Sequence, residues 1–141
     1  MKDLEIYKLK TEGKIKLPLF TVPVSAGFPS PAEEYVEQLL SLDEHLIKHP
    51  QATYLVMVKG DSMKEAGINT GDVLIVDKSL TPANNNIVIA IIDGEFTVKR
   101  IKKDKTALYL LPENKAYKPI KISPEMDFKV WGVVTYIIHK A

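Results

Sequence analysis

The sequence predicts a mostly β chain: a barrel-like antiparallel β fold with a short helical segment and an extended N-terminal arm. Three observations carry this. Short β-rich runs follow one another from residue 53 to the end of the chain. Turn signals separate them, among them Asn84-Asn85-Asn86 and the two-residue link Asp93-Gly94, which is of the kind that closes a β-hairpin. Near the start, Pro23, Pro29 and Pro31 crowd a passage that neither helix nor sheet tolerates well.

Taken in order, Leu4, Ile6, Ile15, Leu17 and Leu19 alternate with polar neighbours in a strand-like way, interrupted by Gly13 and Pro18. Residues 1–26 read as an arm. The prolines around Ala26-Gly27-Phe28 keep that passage extended and accessible, as a protease substrate must be. Residues 27–50 read as a linker with short helices. Ser30 can cap the first, with Pro31 in its first turn and Glu33 at capping-box spacing. Tyr35, Val36, Leu39 and Leu40 then form a helical stripe. Ser41 and Glu44 repeat the spacing, so a second helical turn is expected through Leu46 and Ile47 to Pro50. Residues 51–141 read as the main domain, with strands at 53–58, 73–76, 87–92, 96–101, 107–111 and 128–138.

Composition narrows the function. A chain of 141 residues, 45% of them hydrophobic, holds one real core and an arm. Its 19 basic and 18 acidic residues give a net charge of +1, without the basic excess of a phosphate-driven DNA binder, so no direct specific DNA binding is expected. The absence of cysteine excludes a disulfide scaffold, a thiol nucleophile and a thiolate metal site. The first residues lack the apolar centre of a secretory signal. The longest aliphatic run, 87–92, is far short of the roughly 20 residues of a membrane helix. A cytoplasmic protein without membrane contact is the expectation.

Among the residues that could do chemistry, His45 and His49 have the spacing of a zinc pair, but Leu46 stands where a zinc-protease helix carries glutamate. His139 sits in the tail and offers nothing. No metal and no cofactor are expected. Gly60-Asp61-Ser62-Met63 is more telling, since it follows a strong strand and precedes a turn-rich stretch. A nucleophilic serine needs such a rigid, exposed turn with backbone N–H groups nearby. An ordinary strand-to-loop serine fits the same tetrapeptide. On the strand 95–101, Lys99 shares a face with Thr97 and Ile101. Desolvated there, it loses hydration, becomes neutral more easily and can accept a serine proton. Alternatively, it joins Arg100, Lys102 and Lys103 on a solvated edge.

The chain resembles the UmuD/LexA-type self-cleaving Ser–Lys peptidases. The matching stretches are Pro18-Leu19-Phe20, the passage from Ala26 to Ala32, Tyr35-Val36-Glu37-Gln38, Gly60-Asp61-Ser62-Met63, Gly71 to Asp77, and Asp93 to Lys99. The resemblance runs from about residue 18 to the end. It implies a LexA/signal-peptidase-like fold, Ser62 as nucleophile, Lys99 as general base, and an oxyanion hole from the backbone N–H groups of Asp61 and Ser62. It places the scissile bond at Ala26–Gly27. It further implies a homodimer, stimulation by a RecA nucleoprotein filament in the SOS response, and a processed form that joins UmuC in error-prone translesion DNA synthesis.

Other readings fit the residues less well. A DNA-binding repressor needs a helix-turn-helix ahead of the cleavage site, and the 26 residues before Gly27 hold prolines and no two-helix pattern. A signal-peptidase-like enzyme needs a membrane anchor. A catalytically inactive polymerase subunit is opposed by the intact Ser62, Lys99 and Ala26–Gly27.

Overall fold

The computed structural model describes residues 4–8, 16–20 and 36–141. It forms ten strands and one short helix among them, and the chain divides into two compact units. The larger comprises residues 1–9 and 51–141, the smaller residues 10–50.

The larger unit is one eight-stranded antiparallel sheet, curled into a half-barrel, so the fold is mostly β as the sequence predicts. Its strands are β1 (Leu4–Lys8), β4 (Thr53–Val58), β5 (Val73–Asp77), β6 (Ile87–Ile92), β7 (Glu95–Lys103), β8 (Leu108–Leu111), β9 (Ile120–Lys121) and β10 (Phe128–Ile138). In space they run β1-β4-β5-β10-β6-β7-β8-β9. The last strand in sequence thus sits mid-sheet, pairing with β5 through one half and β6 through the other. Asp93 and Gly94 both take positive φ, 49° and 84°, and link β6 to β7 in the expected hairpin. The asparagine turn is tied down as well: Lys103 donates its backbone N–H to Asn84 Oδ1 at 2.9 Å.

Alternation along the strands feeds two cores. Val56, Leu74, Val76 and Ile89 belong to one; Val88, Ala90, Leu110 and Val133 belong to the other. Fully burying each such side chain contributes about 1.5–3 kcal/mol, which makes these alternating runs the main driving force for the sheet.

The smaller unit corrects one expectation. The helix predicted with Val36, Leu39 and Leu40 on its stripe is not formed there; Val36–Ser41 is strand β3, antiparallel to β2 (Lys16–Phe20). A stretch this short cannot stabilise its own helical nucleus, whereas the ladder to β2 satisfies its backbone directly. The second expected turn does appear, as α1 (Leu42–Leu46), but it ends short of Pro50, and Ser41 stands at its N-cap position without a side-chain cap hydrogen bond. Ser30, Pro31, Tyr35 and the Ala26–Gly27 bond lie outside the described residues.

Candidate active site

Ser62 and Lys99 come from strands that are not neighbours. β4 precedes the serine loop, β7 carries the lysine, and β5, β10 and β6 lie between them. In a flat sheet four spacings of about 4.8 Å would hold the two strands apart. Curling of the sheet, together with the loop after β4, brings Lys99 Nζ to 3.1 Å from Ser62 Oγ.

The loop is anchored on both sides of the serine. Met63, 2% exposed, sinks into the first core, and its sulfur accepts the Glu113 backbone N–H at 3.3 Å. Asn114, itself buried, donates from Nδ2 to the Asp61 carbonyl at 2.6 Å, and the Tyr117 hydroxyl donates to Asp61 Oδ1 at 2.7 Å. Glu65 adds a backbone bond to the Glu113 carbonyl at 2.7 Å. Thr70 Oγ1 donates to the Gly60 carbonyl at 3.1 Å. Ser62 is therefore held between a buried methionine and a gripped peptide, on a loop tied to residues 113–117. Asn114 and Tyr117 escaped the sequence reading, because an irregular loop has no periodicity to announce it.

Lys99 is 7% exposed, so its place is the desolvated one of the two readings, not the solvated edge. Its ammonium donates to Thr97 Oγ1 at 2.5 Å and to the Val98 carbonyl at 3.0 Å besides Ser62. A carbonyl can only accept, so Val98 fixes one N–H outright and orients the nitrogen. Arg100, by contrast, turns away to Glu113 and the Asn85 carbonyl, at 2.6 and 2.7 Å.

Ser62 and Lys99 line a cavity of about 140 Å³ with Leu4 and Val58 on its apolar wall. A second depression of about 460 Å³ adjoins it, and Thr97, Lys99 and Tyr117 line both. The two depressions thus meet at the lysine.

Of the other singled-out residues, His139 is not idle: its Nδ1 lies 2.6 Å from Asp72 Oδ1, a carboxylate 3% exposed. Asp72 Oδ2 accepts the Asn69 backbone N–H at 2.8 Å, so the contact ties the C-terminal end to the loop before β5. The tail position hid this, since the partner is 67 residues away in sequence. Among the described residues, no helix is long and apolar enough to cross a membrane.

Comparison with known proteins adds the following. The family described as Peptidase S24-like matches residues 18–135. Protein SamA of Salmonella typhimurium (strain LT2) is 50% identical over 123 residues, covering 87% of this chain and 85% of SamA. Protein MucA of Salmonella typhimurium is 45% identical over 121 residues, covering 85% of this chain and 82% of MucA. The LexA repressor of Shewanella denitrificans is 43% identical over 111 residues, which cover 79% of this chain and 53% of that repressor.

Proposed function

Since this chain belongs to the Peptidase S24-like family, a family of serine peptidases, we propose that it cuts itself between Ala26 and Gly27, with Ser62 as nucleophile and Lys99 as general base. The observation that carries the reading is the contact of Lys99 Nζ with Ser62 Oγ at 3.1 Å in a buried setting. No histidine takes part in that contact.

In the mechanism, the arm lays Ala26–Gly27 against Ser62 and Lys99. Neutral Lys99 removes the Ser62 hydroxyl proton as Oγ attacks the Ala26 carbonyl carbon. The negative charge that develops on the carbonyl oxygen is met by the backbone N–H groups of Asp61 and Ser62. Collapse breaks the C–N bond, and the Gly27 amine leaves with the proton held by Lys99. Ala26 is now an ester on Ser62. Lys99 next takes a proton from water, whose oxygen attacks the ester, and Ser62 leaves with that proton. The products are residues 1–26 and 27–141.

Burial of the lysine serves this cycle, because removing water disfavours its charged form. The donors to Thr97 Oγ1 and Val98 O aim the remaining nitrogen valence at Ser62. A RecA nucleoprotein filament acts by favouring the state in which the arm is docked and supplies no catalytic group. The processed form pairs as a homodimer and joins UmuC in translesion DNA synthesis in the SOS response.

The reading is tested with Ser62→Ala and Lys99→Ala. Each is expected to abolish fragment formation, followed by mass, with an unchanged circular dichroism spectrum. Cleavage at the normal rate in Lys99→Ala would remove lysine as the base.

A further inference from the structure

Strand β1 borders the candidate site although it precedes the proposed cut. Its five residues pair with β4 from Leu4↔Val58 to Lys8↔Tyr54, at the edge of the main sheet. Leu4 is 3% exposed, packs in one core with Val56 and Val58, and lines the cavity that holds Ser62 and Lys99. On the outward side Glu5 pairs with Lys59 and accepts from the Tyr7 hydroxyl at 2.8 Å. Those two hydrogen bonds, Lys59 first, hold the Glu5 carboxyl below its ordinary range. Val58 donates its backbone N–H to Asp72, on the β5 side of β4. Alternation then turns the N–H groups of Leu55 and Met57 toward β1.

We propose that the β4 edge is a strand-accepting surface which self-cleavage uncovers. A partner protein docks there after the cut by adding an extended segment, with an aliphatic residue in the Leu4 position and an acidic one next, facing Lys59. The proposal rests on the reading that the chain is cut at Ala26–Gly27. Before the cut, β1 is tethered to the sheet, at an effective concentration on the order of millimolar. Afterwards β1 belongs to a separate fragment, 1–26, held by its five residue pairs with β4, one buried leucine and the five residue pairs of β2 with β3. Each pairing is only five residues long, and once the covalent link is cut strands so short do not stay bound on dilution. Its departure leaves a row of backbone donors and acceptors beside an apolar slot, the arrangement that recruits another strand. The chemistry of β1 itself defines what fits.

The test is amide exchange at Leu55 and Met57 in the full chain. Exchange is expected to be slow in uncut Ser62→Ala protein. In the wild-type chain, after self-cleavage and dialysis, it should be at least tenfold faster, while β5 amides stay protected. A synthetic peptide of residues 1–9 should restore slow exchange, and the same peptide with Leu4→Asp should not. Three outcomes overturn the proposal: the excised fragment remaining with the cut chain, protection that returns with protein concentration because a second copy covers the edge, or exchange indifferent to the peptide. Failure of the cut itself is seen separately by mass and counts against the function reading alone. The edge is then tested without a cut, in Ser62→Ala chains carrying Leu4→Asp or Ile6→Asp to detach β1. The same tenfold rise and the same response to peptide are expected, and their absence in both would contradict the strand-accepting edge.

Discussion

Lys99 shows how little a side chain's identity settles and how much its neighbours do. A lysine on a strand is ordinarily solvated. Here Thr97 Oγ1 and the Val98 carbonyl take its donors at 2.5 and 3.0 Å and leave it facing Ser62. Thr97→Val is therefore expected to lower the high-pH plateau of the self-cleavage rate roughly tenfold to a hundredfold, because the neutral amine is no longer aimed at Ser62. The lost bond stabilises the ammonium, so the midpoint of the pH–rate curve should also move to lower pH, and Thr97→Ser should restore both. A rate unchanged in Thr97→Val would show that the Thr97 hydroxyl is not needed to orient the lysine. A short motif and strand alternation marked Ser62 and Lys99 as candidates, the resemblance paired them, and the structure adds their contact at 3.1 Å. Thr97 was legible as a neighbour on the same face, but its bond to Lys99 was not, and the grip of Asn114 on the Asp61 carbonyl was not either. Contacts made across irregular loops leave no spacing in the sequence.

At the scale of elements, local chemistry decided some outcomes and pairing decided others. The Asp93-Gly94 link was readable because aspartate–glycine suits the type I′ hairpin, which requires positive φ at both positions, and Asp93 and Gly94 take 49° and 84°. Gly94→Ala should cost roughly 1 kcal/mol, measured in denaturant, since an L side chain is disfavoured there. Gly132, on β10, answers to packing. An added Cβ would stand 2.6 Å from Val76 Cγ1 on β5. Gly132→Ala is expected to destabilise by about 1–3 kcal/mol through overpacking, with Trp131, the single tryptophan, as the fluorescent reporter beside it. A neutral result would mean that β5 and β10 can move apart at little cost. Strand β3 was misread because Val36, Leu39 and Leu40 suit a helix stripe and a strand alike, and the ladder to β2 is a non-local fact. The two-residue β9 carries no pattern at all.

Over the whole molecule, the most informative feature is that the last strand occupies the middle of the sheet. β10 leaves Tyr136, Ile137 and Ile138 between 36% and 47% exposed at its end, an apolar patch beyond the stretch that pairs with β6. Such a patch suits an isologous interface, so sedimentation at micromolar concentration is expected to give a dimer before and after cleavage, and Ile138→Asp a monomer. Wild-type protein that sediments only as a monomer would contradict the homodimer. The central claim, that an unprotonated buried lysine drives the cut, is tested most directly by the rate of fragment appearance against pH. Purified chain is incubated from about pH 6 to 11 without filament, and the masses of the fragments are followed. The account predicts fragments 1–26 and 27–141 only, at a rate that rises with pH along a single ionisation, and a curve that activated filament shifts to lower pH. A rate flat in pH, a midpoint near the histidine value of about 6.5, or a cut at any other bond would contradict it.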